Sequence, residues 1–117
     1  MDVRGHLDLL LLAVLADAGP VHGYALIAAL RERSEGVFDL PEGTVYPALH
    51  RLERDGLVVS HWEQAVPRRR RVYALTGAGR QASAAKRREW RSFVNGVQAV
   101  LGPVAGTAGP VAGPVTA

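Results

Sequence analysis

A chain of 117 residues, 48% of them hydrophobic, fits one small domain with a modest core. The absence of cysteine excludes disulfides, thiolate metal sites and cysteine nucleophiles, and it suits the cytoplasm. The formal charge of +3 hides an asymmetry that favours a polyanion partner: residues 1–65 carry five arginines against ten acidic residues, or −5, residues 66–91 carry eight arginines and one lysine against Glu89, or +8, and the remainder carries none.

The first predicted helix runs from Gly5 to Ala18 and contains Leu7, Leu9, Leu10, Leu11, Leu12, Val14 and Leu15. Its apolar run, interrupted by Asp8, is too short to span a bilayer, so no membrane partner is expected. A helix apolar nearly all round must be buried on several sides. One small domain does not easily supply that, so part of this helix is expected against a second subunit. Gly19-Pro20 ends it. The second predicted helix covers about Val21 to Ser34, with Tyr24, Ile27 and Leu30 as its inward stripe and Arg31, Glu32 and Arg33 in water. Gly36 breaks it, and Phe38 and Leu40 can pack under the loop that follows.

In the third helix, Val45, Leu49 and Leu52 recur at intervals of four and three, one helix face. Gly56 stops it, because glycine adopts the left-handed cap without steric cost. Pro47 leaves two starts open. If Thr44 is the N-cap, Pro47 falls where the amide is unpaired anyway; if the helix begins at Glu42, one internal bond is lost. With the inward stripe set, a step of about 100° per residue puts Gly43, Pro47, His50 and Arg54 on the far side. Thr44 and Arg51 flank that face on one side and Tyr46 on the other. Gly43 and Pro47 allow close backbone approach to a groove. Thr44, His50 and Arg51 can contact bases or phosphates, and Tyr46 a phosphate. Glu53 and Asp55 do not face each other and read as solvated.

Leu57 to Trp62 is rich in β-branched residues and reads as a strand, Gln64 to Pro67 as a turn, and Arg69 to Leu75 as a second strand. Helix, strand, basic turn, strand is the order of a winged helix: mainly α, with a β-hairpin wing. Trp62 reads as a hairpin packing residue. Arg68, Arg69, Arg70 and Arg71 put four consecutive cations at the wing's turn, which points to nucleic acid. Thr76 is a good N-cap for a last helix from Gly77 to about Leu101, where Ala82, Trp90, Phe93, Val97, Val100 and Leu101 form an apolar stripe. No domain remains to cover that stripe, which points to a partner subunit. From Gly102 the run GPVAGTAGPVAGPVTA denies helix and strand alike and reads as a disordered tail. The expected division is a winged helix-turn-helix over 1–76, a dimerisation helix over 77–101 and a tail over 102–117.

Catalysis finds little support. His6, His22, His50 and His61 show no ligand spacing, and Ser34, Ser60, Ser83 and Ser92 lie in no nucleophile motif. No enzyme, metal or cofactor is expected. The competing class is a winged helix used as a protein-interaction module, and the basic wing argues against it.

The run Glu42-Gly43-Thr44-Val45-Tyr46-Pro47-Ala48-Leu49-His50-Arg51-Leu52-Glu53 closely resembles the recognition-helix signature of the PadR family of bacterial transcriptional regulators. Gly19 to Tyr24 and Arg68 to Thr76 resemble the same family in its order and spacing, over about the first hundred residues. Pro67 stands where the family often has glycine. The resemblance implies a homodimeric repressor of the short subfamily with a single C-terminal helix. It would bind a pseudo-palindromic operator in double-stranded DNA. The start of the third helix would be its reading head, with Tyr24 in the DNA-facing set. The resemblance also implies dimerisation through the first and last helices, here Leu7, Leu11, Leu12 and Leu15 with Trp90, Phe93, Val97 and Leu101. In multidrug-sensing relatives a tryptophan on the last helix stacks planar aromatic ligands, which implies a small aromatic effector at Trp90.

Overall fold

The computed structural model describes residues 6–64 and 69–102. Gly5, the turn residues Pro67 and Arg68, and the expected tail beyond Gly102 lie outside the described residues. The elements follow in the order α1 (Leu7–Ala18), β1 (Val21–His22), α2 (Gly23–Arg33), α3 (Glu42–Arg54), β2 (Val58–Glu63), β3 (Arg70–Leu75) and α4 (Gly77–Leu101). Mostly helical, with one small sheet, the fold is the expected winged helix.

The sheet has the antiparallel order β1-β3-β2. In the hairpin, Val58 faces Leu75, Ser60 faces Tyr73 and Trp62 faces Arg71. The two-residue β1, which the sequence reading placed in a helix, pairs Val21 with Tyr73 and His22 with Val72. It exists because β3 offers it an edge.

The core gathers Leu7, Leu11, Leu12, Val14 and Leu15 of α1, Leu26 and Leu30 of α2, Val45, Leu49 and Leu52 of α3, and Val58, Tyr73 and Leu75 of the hairpin. Two expectations are corrected here. The inward side of α2 is Leu26 and Leu30 with Ile27 packed partly buried beside them, while Tyr24 is 67% exposed. In addition, Leu7, Leu11, Leu12 and Leu15, placed by resemblance at a dimer interface, are between 0% and 3% exposed within the chain itself. The physical reason is that α2, α3 and β3 all pack on α1, so one chain supplies the burial that a second subunit was invoked to provide. Of the apolar α1 side chains, Leu9, Leu10, Ala13 and Ala16 are only half-buried and Ala18 is exposed.

The two possible starts of α3 are resolved in favour of Glu42. Pro41 is the N-cap, and its carbonyl accepts from the amides of Thr44 and Val45 at 3.0 and 3.1 Å. Pro47 therefore lies inside the helix, and the bond from position 47 to the Gly43 carbonyl does not form. The helix ends as expected. Gly56 takes φ +81°, and the Leu57 amide reaches back to the Leu52 carbonyl at 2.9 Å.

Thr76 caps α4: its Oγ1 accepts from the Gly79 amide at 3.0 Å and donates to the Gly56 carbonyl at 2.7 Å. The chain divides into two compact units, Met1–Lys86 and Arg87–Ala117, the division falling inside α4. In the second unit Trp90 and Phe93 are neighbouring rings, 5.7 Å between centroids, and Phe93, Val100 and Leu101 are exposed.

Candidate nucleic-acid interface

Helix α3 is held from beneath. Val45, Ala48, Leu49 and Leu52 are buried, so Gly43, Pro47, His50 and Arg54 are turned outward, all exposed. Tyr46 sits at the flank. Its ring lies against Gly23, the first residue of α2, where a methyl would overlap the Tyr46 hydroxyl. It also stands 6.4 Å from the Tyr73 ring. Burial, and then the charge of Glu42, push the Tyr46 hydroxyl above its usual pKa. The phenol keeps its proton, so its hydroxyl remains a hydrogen-bond donor. Tyr24 Oη, one residue beyond Gly23, donates to Glu42 Oε2 at 3.2 Å.

The wing closes the other side. Trp62 is 48% exposed, and two guanidinium groups lie over its ring, Arg69 at 4.7 Å and Arg71 at 5.1 Å. A tryptophan read from sequence as simple packing is thus the platform on which the wing's arginines rest. His22 Nε2 and Glu63 Oε1 are 3.0 Å apart, joining β1 to the far end of β2.

These parts enclose one groove of about 820 Å³, with Tyr24, Tyr46 and His50 on one wall and Trp62, Arg69, Arg70 and Arg71 on the other. His22, Gly23, Ala25 and Tyr73 complete its lining. His22 and Gly23 were missed as site residues, although the Gly19–Tyr24 motif contains them. Thr44, Pro47 and Arg51 are not in this groove. They border a separate recess of about 530 Å³ with Gly43, Ala48 and Leu7. There the Arg51 guanidinium is held by Asp8 of α1, Nη2 to Oδ1 2.5 Å. Thr44 is half-buried and Arg68 lies outside the described residues. Glu53, read as solvated, instead accepts from Ser60 at 2.8 Å. Among the described residues no group of His, Asp or Glu could hold a metal ion.

A trihelical core, a short edge strand and a hairpin wing with arginines at its outer end define a winged helix-turn-helix protein. The family model for the transcriptional regulator PadR-like family matches residues 11–85. The transcriptional regulator Rv3488 of Mycobacterium tuberculosis is 43% identical over 89 residues, covering 76% of this chain and 78% of that protein. Among solved structures, a PadR family transcription regulator from Clostridium difficile R20291 is 36% identical with a TM-score of 0.69, covering 82% of this chain and 97% of that one. A transcriptional regulator from Clostridium thermocellum superposes with a TM-score of 0.77 at 26% identity, covering 85% and 96%. The chain belongs to the PadR-like family of transcriptional regulators, and it is a regulator and not an enzyme.

Proposed function

We propose that the protein is a homodimeric, sequence-specific DNA-binding repressor acting in the cytoplasm. The observation that carries this reading is the shared groove. Tyr24 of α2, His50 of α3, and Arg69 and Arg70 of the wing line one cavity, a donor-rich seat suited to a duplex backbone beside an outward α3 face. Thr44, Pro47 and Arg51, on the other flank of α3, would meet base edges or phosphates, and Arg68 would extend the cationic wing. Two such units on a pseudo-palindrome would place two third helices about one helical turn, or a multiple, apart. No described helix is long and apolar enough to cross a membrane.

The second copy would dock on the apolar side chains of α4, with Trp90, Phe93, Val97 and Leu101 as its contacts. A planar aromatic effector stacked on Trp90 would release DNA only by preferring one spacing of the two third helices. Exposed Phe93, Val100 and Leu101 support the docking surface.

Retention on duplex DNA across a salt series tests the reading. Replacing Arg69 and Arg70 with alanine should weaken binding to every duplex and flatten the salt dependence by ~0.9 for each phosphate no longer neutralised. An unchanged slope removes the wing from the interface. Sedimentation of Phe93→Glu and Val97→Glu tests the dimer, since a variant still dimeric and tightly bound would move the interface elsewhere. Fluorescence titration of Trp62→Phe with planar aromatic compounds tests Trp90.

A further inference from the structure

Strand alternation sorts the wing's arginines. Arg71, Tyr73 and Leu75 share one face of β3, opposite Trp62, Ser60 and Val58 of β2. Val58, Tyr73 and Leu75 are buried, so that face looks toward the core, and Arg71 continues it toward the hairpin's outer end. Arg70 takes the other face, across from Glu63.

Arg71 is enclosed accordingly. Its Nε donates to Ser60 Oγ at 3.0 Å, and the Ser60 hydroxyl donates to Glu53 Oε2 at 2.8 Å. Nη2 stands 3.9 Å from the same carboxylate oxygen, and the two side chains keep only 33% and 30% exposure. Glu53 belongs to the last turns of α3. A carboxylate of the reading helix and a guanidinium of the wing are thus joined through one hydroxyl, which uses its proton toward one and a lone pair toward the other. Serine suits the position because it can do both at once.

We propose that Glu53, Ser60 and Arg71 form a strut that sets the gap between α3 and the wing, and that Arg71 is a positioning residue for DNA binding and not a phosphate contact. The proposal rests on the DNA-binding reading above. The hairpin is rooted by Val58 and Leu75 in the core, but His61, Trp62 and Glu63 are exposed, and a two-stranded ribbon alone is marginal in water. The strut anchors it where it leaves the core on the α3 side, as His22 does at Glu63 on the β1 side. The groove between wing and α3 keeps its width because both ties hold. Simple electrostatics predicts the opposite sign for Glu53. An acid beside a polyanion site should weaken binding, and its removal should strengthen it.

The experiment has two arms, run on Glu53→Ala, Ser60→Ala and Arg71→Ala after thermal unfolding confirms that each is folded. Ser60→Ala cuts the bridge with both charges left in place. In the free protein, amide hydrogen exchange over residues 60–63 and 70–73 should be on the order of tenfold faster than wild type, while α1 stays unchanged. Unaltered exchange in all three variants overturns the strut. On duplex DNA, Glu53→Ala and Arg71→Ala should each bind on the order of tenfold more weakly with an unchanged salt slope, and the double variant no more weakly than either single. Tighter binding by Glu53→Ala, or a lowered slope in Arg71→Ala, refutes the positioning role. If wild type shows no salt-dependent duplex binding, the DNA-binding reading falls, and the exchange arm still decides the strut.

Discussion

Gly79, in the first turn of α4, gives a test in which sequence and structure disagree on the sign. Glycine in a helix is ordinarily a weakness, and alanine there gains up to ~1 kcal/mol. Here a methyl would overlap the Leu57 carbonyl oxygen and lie 3.1 Å from both the Leu57 carbonyl carbon and Leu75 Cδ2. The obstacle is backbone, so it cannot swing aside. Relief requires α4 and the start of the hairpin to part by more than about 1 Å. That movement strains three hydrogen bonds: Thr76 amide to Leu57 carbonyl at 3.1 Å, Thr76 Oγ1 to Gly56 carbonyl, and Gly79 amide to Thr76 Oγ1. Overpacking costs ~1–3 kcal/mol and weakening three hydrogen bonds of ~1 kcal/mol each adds roughly 2, so after a propensity gain of ~1 kcal/mol Gly79→Ala should lose roughly 2–4 kcal/mol. With a urea slope of ~2 kcal/mol/M, mid-range for small proteins, the unfolding midpoint should fall by roughly 1–2 M at fixed protein concentration. Gly96→Ala, where a methyl meets nothing within 4 Å, is the control and should be neutral or stabilising. A Gly79→Ala midpoint equal to or above wild type, with the same slope, would refute the packing argument.

Alanine at Thr44 or Arg51 should weaken operator binding more than binding to random duplex, by roughly 1–3 kcal/mol for each base the side chain reads; equal weakening on both would assign these residues to the phosphate backbone. Ser83 Oγ is buried without a hydrogen-bond partner among the described residues, so Ser83→Ala should raise stability by about 1 kcal/mol in chemical denaturation, and a drop would show that the hydroxyl is satisfied. Burial pushes the Tyr73 hydroxyl above its ordinary value of 10.0, against the pull of neighbouring Arg71. The folded state therefore favours the neutral phenol: its contribution is complete below about pH 10 and is lost as pH rises through the raised value. Urea midpoints should fall on alkaline titration, and fall less in Tyr73→Phe.

Much of this geometry could be read from local spacing. Val45, Leu49 and Leu52 mark the buried side of α3 because a helix repeats on itself, and Gly56 and Thr76 mark helix ends because caps are local chemistry. What escaped depends on neighbours distant in sequence. Val21–His22 is too short to announce itself and is a strand only through β3. The leucines of α1 look the same in sequence whether three elements of one chain cover them or a second subunit does. Tyr24 looked inward because an aromatic at helical spacing usually is, yet the core on that side is filled by Leu26 and Leu30. Arg71 was legible in principle. Counting by twos from buried Leu75 through Tyr73 reaches it, but four arginines in a row invite reading as one patch. Glu53 had no such signal, since only the hairpin's path brings Ser60 and Arg71 to it.

Pro47 has a consequence for anyone who would move the outward face of α3 elsewhere. Residues 42–54 carry a glycine and a proline within one short helix, worth about 1 and about 3 kcal/mol against helix formation. The folded chain offsets that by burying Val45, Leu49 and Leu52, at roughly 1.5–3 kcal/mol for each such side chain. The shape presented outward is therefore borrowed from the protein beneath it. Grafted onto another scaffold or made as a free peptide, the same residues would keep their letters and lose their helix, so the outward face of α3 is portable only together with the core beneath it.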